Sequence, residues 1–417
     1  MKRNLLFAAL LFGALISCKK KSFTEEPIAP TLPPIELGYS KLTTEQHKQA
    51  LEQNGLDFIK KINTLPDEKF ISLIERLGDL DLEALSNTII GRELEAIAFA
   101  GRNKDAARLF SAVTTNSVAK TTDLSDYYGI YNWDSKTEAW IKTPSTSKFE
   151  VHYPSTAASK TNDALLTASY TASKAALYVD GEAYELPAAT NVSLSVSGKE
   201  ELKLAGLYEY KINGSTDATP TKAEVRLNLG SFQLIVTAGN DTKTLTSRVV
   251  LAKDSKELLN LVSIGNLNGS YPNIEDLETV AEVIKDANMT FDVMNIRLTG
   301  QANIKVIQDD YDANDMLTEK ESREKQVATM NKNSSLFAVY KDKNEVFAKN
   351  EFVMVEDSFP SYDYDPATGD KIDVIRTRYY LEPRLVFNDE SKVSLKTFFG
   401  KGFSKFIDEF EIFTNKF

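Results

Sequence analysis

The sequence predicts an α+β fold in which short amino-terminal helices precede a large antiparallel β-meander, either a curved sheet or an open barrel, with a few carboxy-terminal helices. The period of the apolar residues changes from 3.6 to 2 at about residue 127, which marks the passage from helices to strands. Turn residues separate the strands at short intervals, and no helical pattern interrupts them. With 42% hydrophobic and 26% charged residues, the chain has the composition of a folded protein.

The helical region is predicted over residues 41–113. Thr43 and Gln46 have the spacing of a capping box, and Pro66 suits the first turn of a helix. Apolar residues then recur at helical spacing, as in Leu82, Leu85 and Ile89. Helices this short are marginal alone, so we expect their apolar faces to pack on each other or on the following sheet.

The β-meander is predicted over residues 127–270. Val192, Leu194 and Val196 alternate with polar residues, as do later segments, so one face of the sheet should be apolar. Four dipeptides suit hairpin turns: Asp180-Gly181, Asn213-Gly214, Gly239-Asn240 and Asn268-Gly269. Short connections of this kind predict sequential antiparallel neighbours.

Residues 271–417 are predicted to form a mixed region, either on the same sheet or on a second, smaller one. The expected elements are a helix over Ile274–Ala287, strands over Phe291–Ile307, Leu336–Ala348 and Glu351–Glu356, and a last helix over Ser404–Phe413. A hairpin is expected at Asp365–Gly369, where proline takes the second turn position and glycine the left-handed one. It would join strands near Phe352–Val355 and Ile372–Val386.

Residues 1–17 have the pattern of an export signal. Lys2 and Arg3 precede an apolar run over Leu5–Ile16, which is too short to span a bilayer and ends in Leu15-Ile16-Ser17-Cys18. The segment resembles the signal peptide of bacterial lipoproteins. That resemblance implies cleavage before Cys18 and its acylation by diacylglyceryl and fatty acyl chains such as palmitate. The alternative is an ordinary secretory signal that leaves Cys18, the only cysteine, as a free thiol.

Residues 18–40 are predicted to be a proline-rich tether that holds the body away from the lipid. Lys19-Lys20-Lys21 follows the cysteine, and four prolines favour extended backbone: Pro27, Pro30, Pro33 and Pro34. The segment resembles that of uncharacterised Bacteroidota envelope lipoproteins, and lysine beside the cysteine favours the outer over the inner membrane. Only Glu25 and Glu26 supply acidic charge nearby, so we favour the periplasmic face over the cell surface.

Charge and motifs exclude several classes of function. The formal net charge of −11 argues against a nucleic-acid partner. His47 and His152 are the only histidines, so no zinc-type histidine cluster can be built. Neither a Gly-x-Ser-x-Gly elbow nor a P-loop is present, and Gly400-Lys401-Gly402 lacks the third glycine of a dinucleotide fingerprint. We predict a non-enzymatic protein, although 60 acidic residues leave hydrolysis by a carboxylate pair open.

One acidic segment has the spacing of a calcium loop. Asp310, Asp312, Asn314, Thr318 and Glu321 would occupy positions 1, 3, 5, 9 and 12 of an EF-hand loop. Asp315 stands at the sixth position, where such loops need glycine. The alternative is an acidic loop that caps a helix beginning near Leu317. We therefore predict no cofactor apart from the covalent lipid, with calcium as the weaker hypothesis.

Aromatic residues supply the other candidate site. Tyr131 and Trp133 should share one face of a strand, with Trp140 opposite one of them. Facing solvent, the rings could stack on a sugar; facing inward, they would fill the core, which we favour.

Two functional interpretations follow. In the first, the envelope lipoprotein holds a hydrophobic ligand on the apolar strand face or acts as a structural or interaction protein. In the second, it binds a glycan or a protein at its surface; an unrecognised hydrolase is third. The expected partners are the membrane through the anchor and a lipid, a glycan or an envelope protein. A helical layer that fills the apolar strand face would count against the hydrophobic-ligand interpretation.

Overall fold

The structure is a computed structural model that describes residues 37–86, 88–103, 124–179, 182–213, 217–241, 243–268, 280–313, 317–365 and 367–400. The predicted turns at Asp180-Gly181, Asn213-Gly214 and Asn268-Gly269 lie wholly or partly outside these residues, as does the helix predicted over Ser404–Phe413.

Short helices occupy the amino-terminal region, as the sequence predicts. They are α1 (Thr44–Ile62), α2 (Lys69–Asp79), α3 (Glu83–Ser86) and α4 (Ile89–Arg102), and α5 (Ile304–Ala313), α6 (Glu319–Asn333) and α7 (Leu395–Gly400) follow later. The capping box of α1 is confirmed, because the Gln46 amide donates to the Thr43 hydroxyl at 3.3 Å and the Thr43 amide to Gln46 Oε1 at 2.9 Å. Pro66 lies in a separate 3₁₀ turn, Leu65–Asp67, rather than in an α-helix.

In the described residues sixteen strands make one sheet. They are β1 (Gly129–Asp134), β2 (Ala139–Pro144), β3 (Phe149–Tyr153), β4 (Ala164–Val179), β5 (Glu182–Val196), β6 (Lys199–Asn213), β7 (Asp217–Leu229), β8 (Phe232–Asn240), β9 (Thr244–Lys253), β10 (Lys256–Leu267), β11 (Ile284–Val293), β12 (Ile296–Ala302), β13 (Ser334–Tyr340), β14 (Glu345–Tyr364), β15 (Lys371–Val386) and β16 (Lys392–Ser394). The sheet is open, and the α+β class with a large antiparallel sheet is confirmed.

The strand order is sequential and antiparallel from β3 to β16, so the carboxy-terminal strands join the same sheet. The prediction of sequential neighbours is wrong at the other edge. There β3 pairs in parallel with β1, and β2 becomes the outermost strand. That parallel pair depends on tertiary packing that strand alternation does not encode.

Several tight turns use residues that the sequence prediction did not select. Ser197-Gly198 and Asp254-Ser255 have positive φ at both positions, as a type I′ hairpin requires. The turn predicted at Gly239-Asn240 is wrong, because both residues belong to β8. The chain reverses after them, where Asp241 Oδ1 accepts from the Thr244 amide at 2.7 Å.

Three predicted elements of the carboxy-terminal region differ from the structure. Residues 284–287, expected to end a helix, begin β11, and the strand expected to reach Ile307 ends at Ala302 because α5 starts at Ile304. The segment 336–348 is two strands rather than one. The hairpin around Asp365–Gly369 is confirmed, with Gly369 at φ +74° and the Gly369 amide donating to the Asp365 carbonyl at 2.8 Å.

The main core lies between α1–α4 and the apolar face of β1–β10. Helix residues such as Phe70, Leu73 and Ile97 form one buried cluster with strand residues such as Leu194 and Leu227. A second core lies where α1 and α7 meet β12–β15, around Tyr340, Phe347, Phe387 and Phe398. The prediction that the helices pack on the sheet is confirmed.

Candidate functional site

The predicted aromatic cluster forms where β1 and β2 pair. Trp133 lies opposite Trp140, and their rings meet edge to face with centroids 5.3 Å apart. Trp140 Nε1 donates to the Leu80 carbonyl at 2.8 Å, and the buried Tyr131 donates to the Tyr127 carbonyl at 2.7 Å. The polar atoms of Trp140 and Tyr131 thus bind the fold itself, and ligand contact by these three rings stays a prediction.

The calcium candidates fall on two helices. Asp310 and Asp312 lie near the end of α5, where Asp312 accepts from Gln308 at 2.8 Å. Glu321 completes the capping box of α6, and its hydrogen bonds from Thr318 lower its pKa. Asn314 lies outside the described residues, which contain no cluster of three or more potential metal-binding side chains. Calcium binding stays a prediction.

The two histidines lie apart. His47 on α1 is fully buried in the second core, where Nδ1 is 2.8 Å from the Tyr340 hydroxyl and the ring stacks on Tyr340, Phe347 and Phe387. Burial lowers its pKa, although the Leu42 carbonyl favours the protonated ring.

His152 lies on β3, half-buried and 3.6 Å from Glu150. The structure therefore brings no histidine pair together, and His47 is placed to hold α1 on the sheet.

A buried ionic cluster escaped the sequence prediction. The carboxylate of Asp292, almost wholly buried on β11, binds Arg297 at 2.7 Å and Lys341 at 2.9 Å. Burial alone would raise the pKa of Asp292, but the hydrogen bonds and charges of the two cations lower it. The signal in the sequence was the spacing of Asp292 and Arg297, which lie five residues apart on either side of the tight turn between β11 and β12. The buried negative charge of Asp292 is paired with two cations, which fits a structural role of this cluster.

A further exposed feature is the outer part of the β14–β15 hairpin, Glu351–Tyr364 with Lys371–Pro383, which we name the arm. β14 pairs with β13 only up to Lys349, and β15 pairs with β16 only from Arg384 onward. Within the arm the two strands therefore have only each other as strand partners among the described residues. Large side chains stand exposed along it: Tyr362, Tyr364, Ile372, Ile375 and Tyr380.

The two faces of the arm differ in chemistry. On one face Tyr362 and Tyr364 meet edge to face, and Lys371 Nζ lies 4.4 Å from the Tyr362 ring centre. On the other face, Arg376 pairs with Asp363 and Arg378 with Asp357. The exposed tyrosine pair and the two arginine–aspartate pairs thus lie on opposite faces of the arm.

Helix α6 holds the base of the arm. The Asn331 side chain binds both the amide and the carbonyl of Phe352 at 2.8 Å, as a neighbouring strand would. Arg323 Nε donates to the Tyr379 carbonyl at 3.3 Å. These contacts tie both strands of the arm to one helix and leave its outer part projecting.

Comparison of the chain with protein-family models, curated proteins and solved structures finds no match. Within the part of the chain that the structure describes, no helix combines the length and the apolar character needed to span a membrane.

Proposed function

We propose that the chain is a membrane-anchored, non-enzymatic envelope lipoprotein that acts by binding another protein, and that the arm is its binding element. The observation that supports this proposal is the exposure of tyrosines and isoleucines on a two-stranded hairpin without further strand neighbours. Such hairpins are marginal in water, and exposed apolar residues grouped in this way are typical of interaction surfaces.

The packing of the main core favours this interpretation over a bound hydrophobic ligand. A ligand would need an open apolar strand face. In the described residues, α1–α4 pack on that face, and their side chains form one buried cluster with those of the strands. The helices thus occupy the place that a ligand would take.

The position of the arm also fits a partner away from the anchor. The chain enters the body at Tyr39, which pairs with Val346 at the start of β14. β14 is 20 residues long, which corresponds to about 65 Å of strand at ~3.3 Å per residue. The tip of the arm therefore lies at the end of β14 opposite to the entry of the tether.

The charge of the tip favours a protein partner over a lipid surface. Asp363, Asp365, Asp370 and Asp373 lie at the tip, where Lys371 is the one cation between residues 363 and 373 and Arg376 pairs with Asp363. An anionic lipid surface attracts basic segments, so this acidic tip would be repelled. A protein surface can supply both apolar and basic contacts.

Site-specific photo-crosslinking in intact cells tests the proposal. A photo-reactive residue replaces Tyr364 on the arm or, as a control, the exposed Ile141 on β2. We expect a protein adduct from position 364 and none from position 141. An excess of the soluble Cys18→Ser chain should compete with this adduct and reduce it. The same chain carrying Tyr362→Ser, Tyr364→Ser and Ile375→Ser should not reduce it. Equal adducts at both positions, or lipid adducts only, would contradict it. Stoichiometric lipid in native mass spectra of the Cys18→Ser chain would restore the hydrophobic-ligand interpretation.

A further inference from the structure

We propose that the outer edge of β15, Ile372–Arg378, pairs antiparallel with the same edge of a second copy, so that two arms form one four-stranded sheet. The inference rests on the proposed function, because it names the partner that the arm binds. Free strand edges are templates for strand addition, and an isologous contact needs an edge that is complementary to itself.

The hydrogen bonds of Asn331 establish which backbone groups point outward. Both the amide and the carbonyl of Phe352 bind Asn331, so Phe352 faces away from β15. Antiparallel partners alternate between facing each other and facing away. With the observed register, the outward residues of β15 are Lys371, Asp373, Ile375, Thr377 and Tyr379. The bond from Arg323 to the Tyr379 carbonyl agrees with this alternation.

The two edges of the arm are not equivalent. On β14, Asn331 occupies the edge at Phe352, and Pro360 presents an outward position without an N–H. On β15, Lys371–Arg378 contains no proline, and in the described residues no side chain binds its outward backbone groups. The edge of β15 is therefore the one open to pairing.

Charge along β15 favours a second copy in antiparallel orientation. Asp370 and Asp373 lie at its start, whereas Arg376 and Arg378 lie toward its middle. Antiparallel pairing about the middle of this edge brings Asp370 of each strand diagonal to Arg378 of the other on the same face, whereas parallel pairing would set like charge beside like. Each guanidinium has further donors beyond those used by its own aspartate.

The alternation also restricts the register. Outward residues must pair with outward residues, so the two-fold axis passes through a residue. An axis at Val374 would place the two Asp373 carboxylates as diagonal neighbours, where they repel each other. The described residues supply no ion pair for Asp373 that would offset this repulsion. An axis at Ile375 makes the two Arg376 side chains diagonal neighbours, but each is already paired with Asp363.

We therefore assign the axis to Ile375. This register joins the two Ile375 side chains, which are 71% exposed in one copy. It also sets Asp373 opposite the second copy's Thr377, and the paired stretch runs from Ile372 to Arg378, short of the Tyr379 carbonyl that Arg323 binds. Ile375 of each copy is thereby buried against Ile375 of the other.

Disulfide trapping tests the register on the full chain carrying Cys18→Ser, which leaves no other thiol. Opposed strand residues have the Cα separation that a disulfide needs. We expect Ile375→Cys to give a linked dimer under mild oxidation, and Tyr362→Cys, exposed on the blocked β14 edge, to stay monomeric. Equal linkage of both variants would indicate random collision and overturn the proposal.

Sedimentation equilibrium supplies the second measurement. Ile375→Pro removes an outward N–H at a position equivalent to native Pro360, so the arm should stay folded while the dimer weakens at least about tenfold. Ile375→Val should dimerise as the parent does. A parent chain that remains monomeric at all concentrations would refute self-pairing. If position 364 still crosslinks to another protein, the proposed function stands without this inference; if neither occurs, both fail.

Discussion

At the scale of single residues, His47 is fully buried among Tyr340, Phe347 and Phe387. Its folded-state pKa is lowered by burial, so the unfolded chain binds a proton more readily near pH 6. The stability contributed by the neutral ring is complete above the unfolded pKa of about 6.5 and is lost as pH falls below it.

We expect His47→Phe to flatten this pH dependence. Relative to the variant, the parent chain should lose up to about 1.4 kcal/mol of unfolding free energy per pH unit as the pH falls below about 6.5. Urea unfolding at several pH values measures the difference. His152→Asn, which removes the other histidine, is the control; an identical change there would contradict the assignment to His47.

Glu93 on α4 shows the opposite sign. Burial raises its pKa to about 7, so its ionisation costs stability as pH rises from about 4.5 through 7. Glu93→Gln should therefore raise the unfolding free energy on the order of 2 kcal/mol at pH 8 and change little at pH 4. Thermal melts at both pH values, with the exposed Glu95→Gln as control, check this. Equal gains for both variants would sink the explanation.

At the scale of elements, the β7–β8 turn contacts the amino-terminal helical region through Ser231 and Glu68. Gly230 has φ +57°, and a Cβ there would overlap the Glu68 carboxylate that accepts bonds from the Ser231 amide, at 3.2 Å, and hydroxyl. Gly369 at the arm tip also has positive φ but open space around it.

Gly230→Ala should thus cost more than Gly369→Ala, because only the first adds a clash to the strain. We expect about 1 kcal/mol for Gly369→Ala and at least about 2 kcal/mol more for Gly230→Ala in urea unfolding. Equal losses would show that Glu68 moves aside freely.

The elements that the sequence predicted are those whose pattern is local. The capping box at Thr43 and the Asp365–Gly369 hairpin carry their own signals, and both are confirmed. Residues 304–313 were expected to be partly strand because Ile304 and Val306 suit either element in a short window. The β1–β3 pair depends on contacts between distant parts of the chain.

The candidate site could be predicted only in part. The sequence indicated a hairpin but not that its outer half lacks strand neighbours, since that depends on where β13 and β16 end. Period-2 geometry placed Trp140 opposite either Tyr131 or Trp133, and the structure pairs it with Trp133. The aromatic contacts of His47 could not be predicted, because the nearest of these rings in the sequence, Tyr340, is 293 residues away.

At the scale of the whole molecule, the location proposed for the chain depends on Cys18. The parent chain should incorporate labelled palmitate and should be found in the membrane fraction. Cys18→Ser should lose the label and appear in the soluble fraction, whereas Ser17→Ala, which keeps a small residue before the cut, should retain both. A parent chain with a free, unlabelled Cys18 would overturn the anchor and support an ordinary secretory signal.

The bond between Ser40 and Asn388 has a consequence for the order of folding. The Asn388 side chain donates to the Ser40 carbonyl at 2.8 Å across 348 residues of chain. Contacts between such distant residues form slowly, because the intervening chain must first be ordered. In synthesis the segment around Ser40 is made early, whereas its partners, Val346 at the start of β14 and Asn388 after β15, are made late. Helix α1 would therefore be among the first elements made and among the last to dock, with its apolar face in need of protection for most of that time.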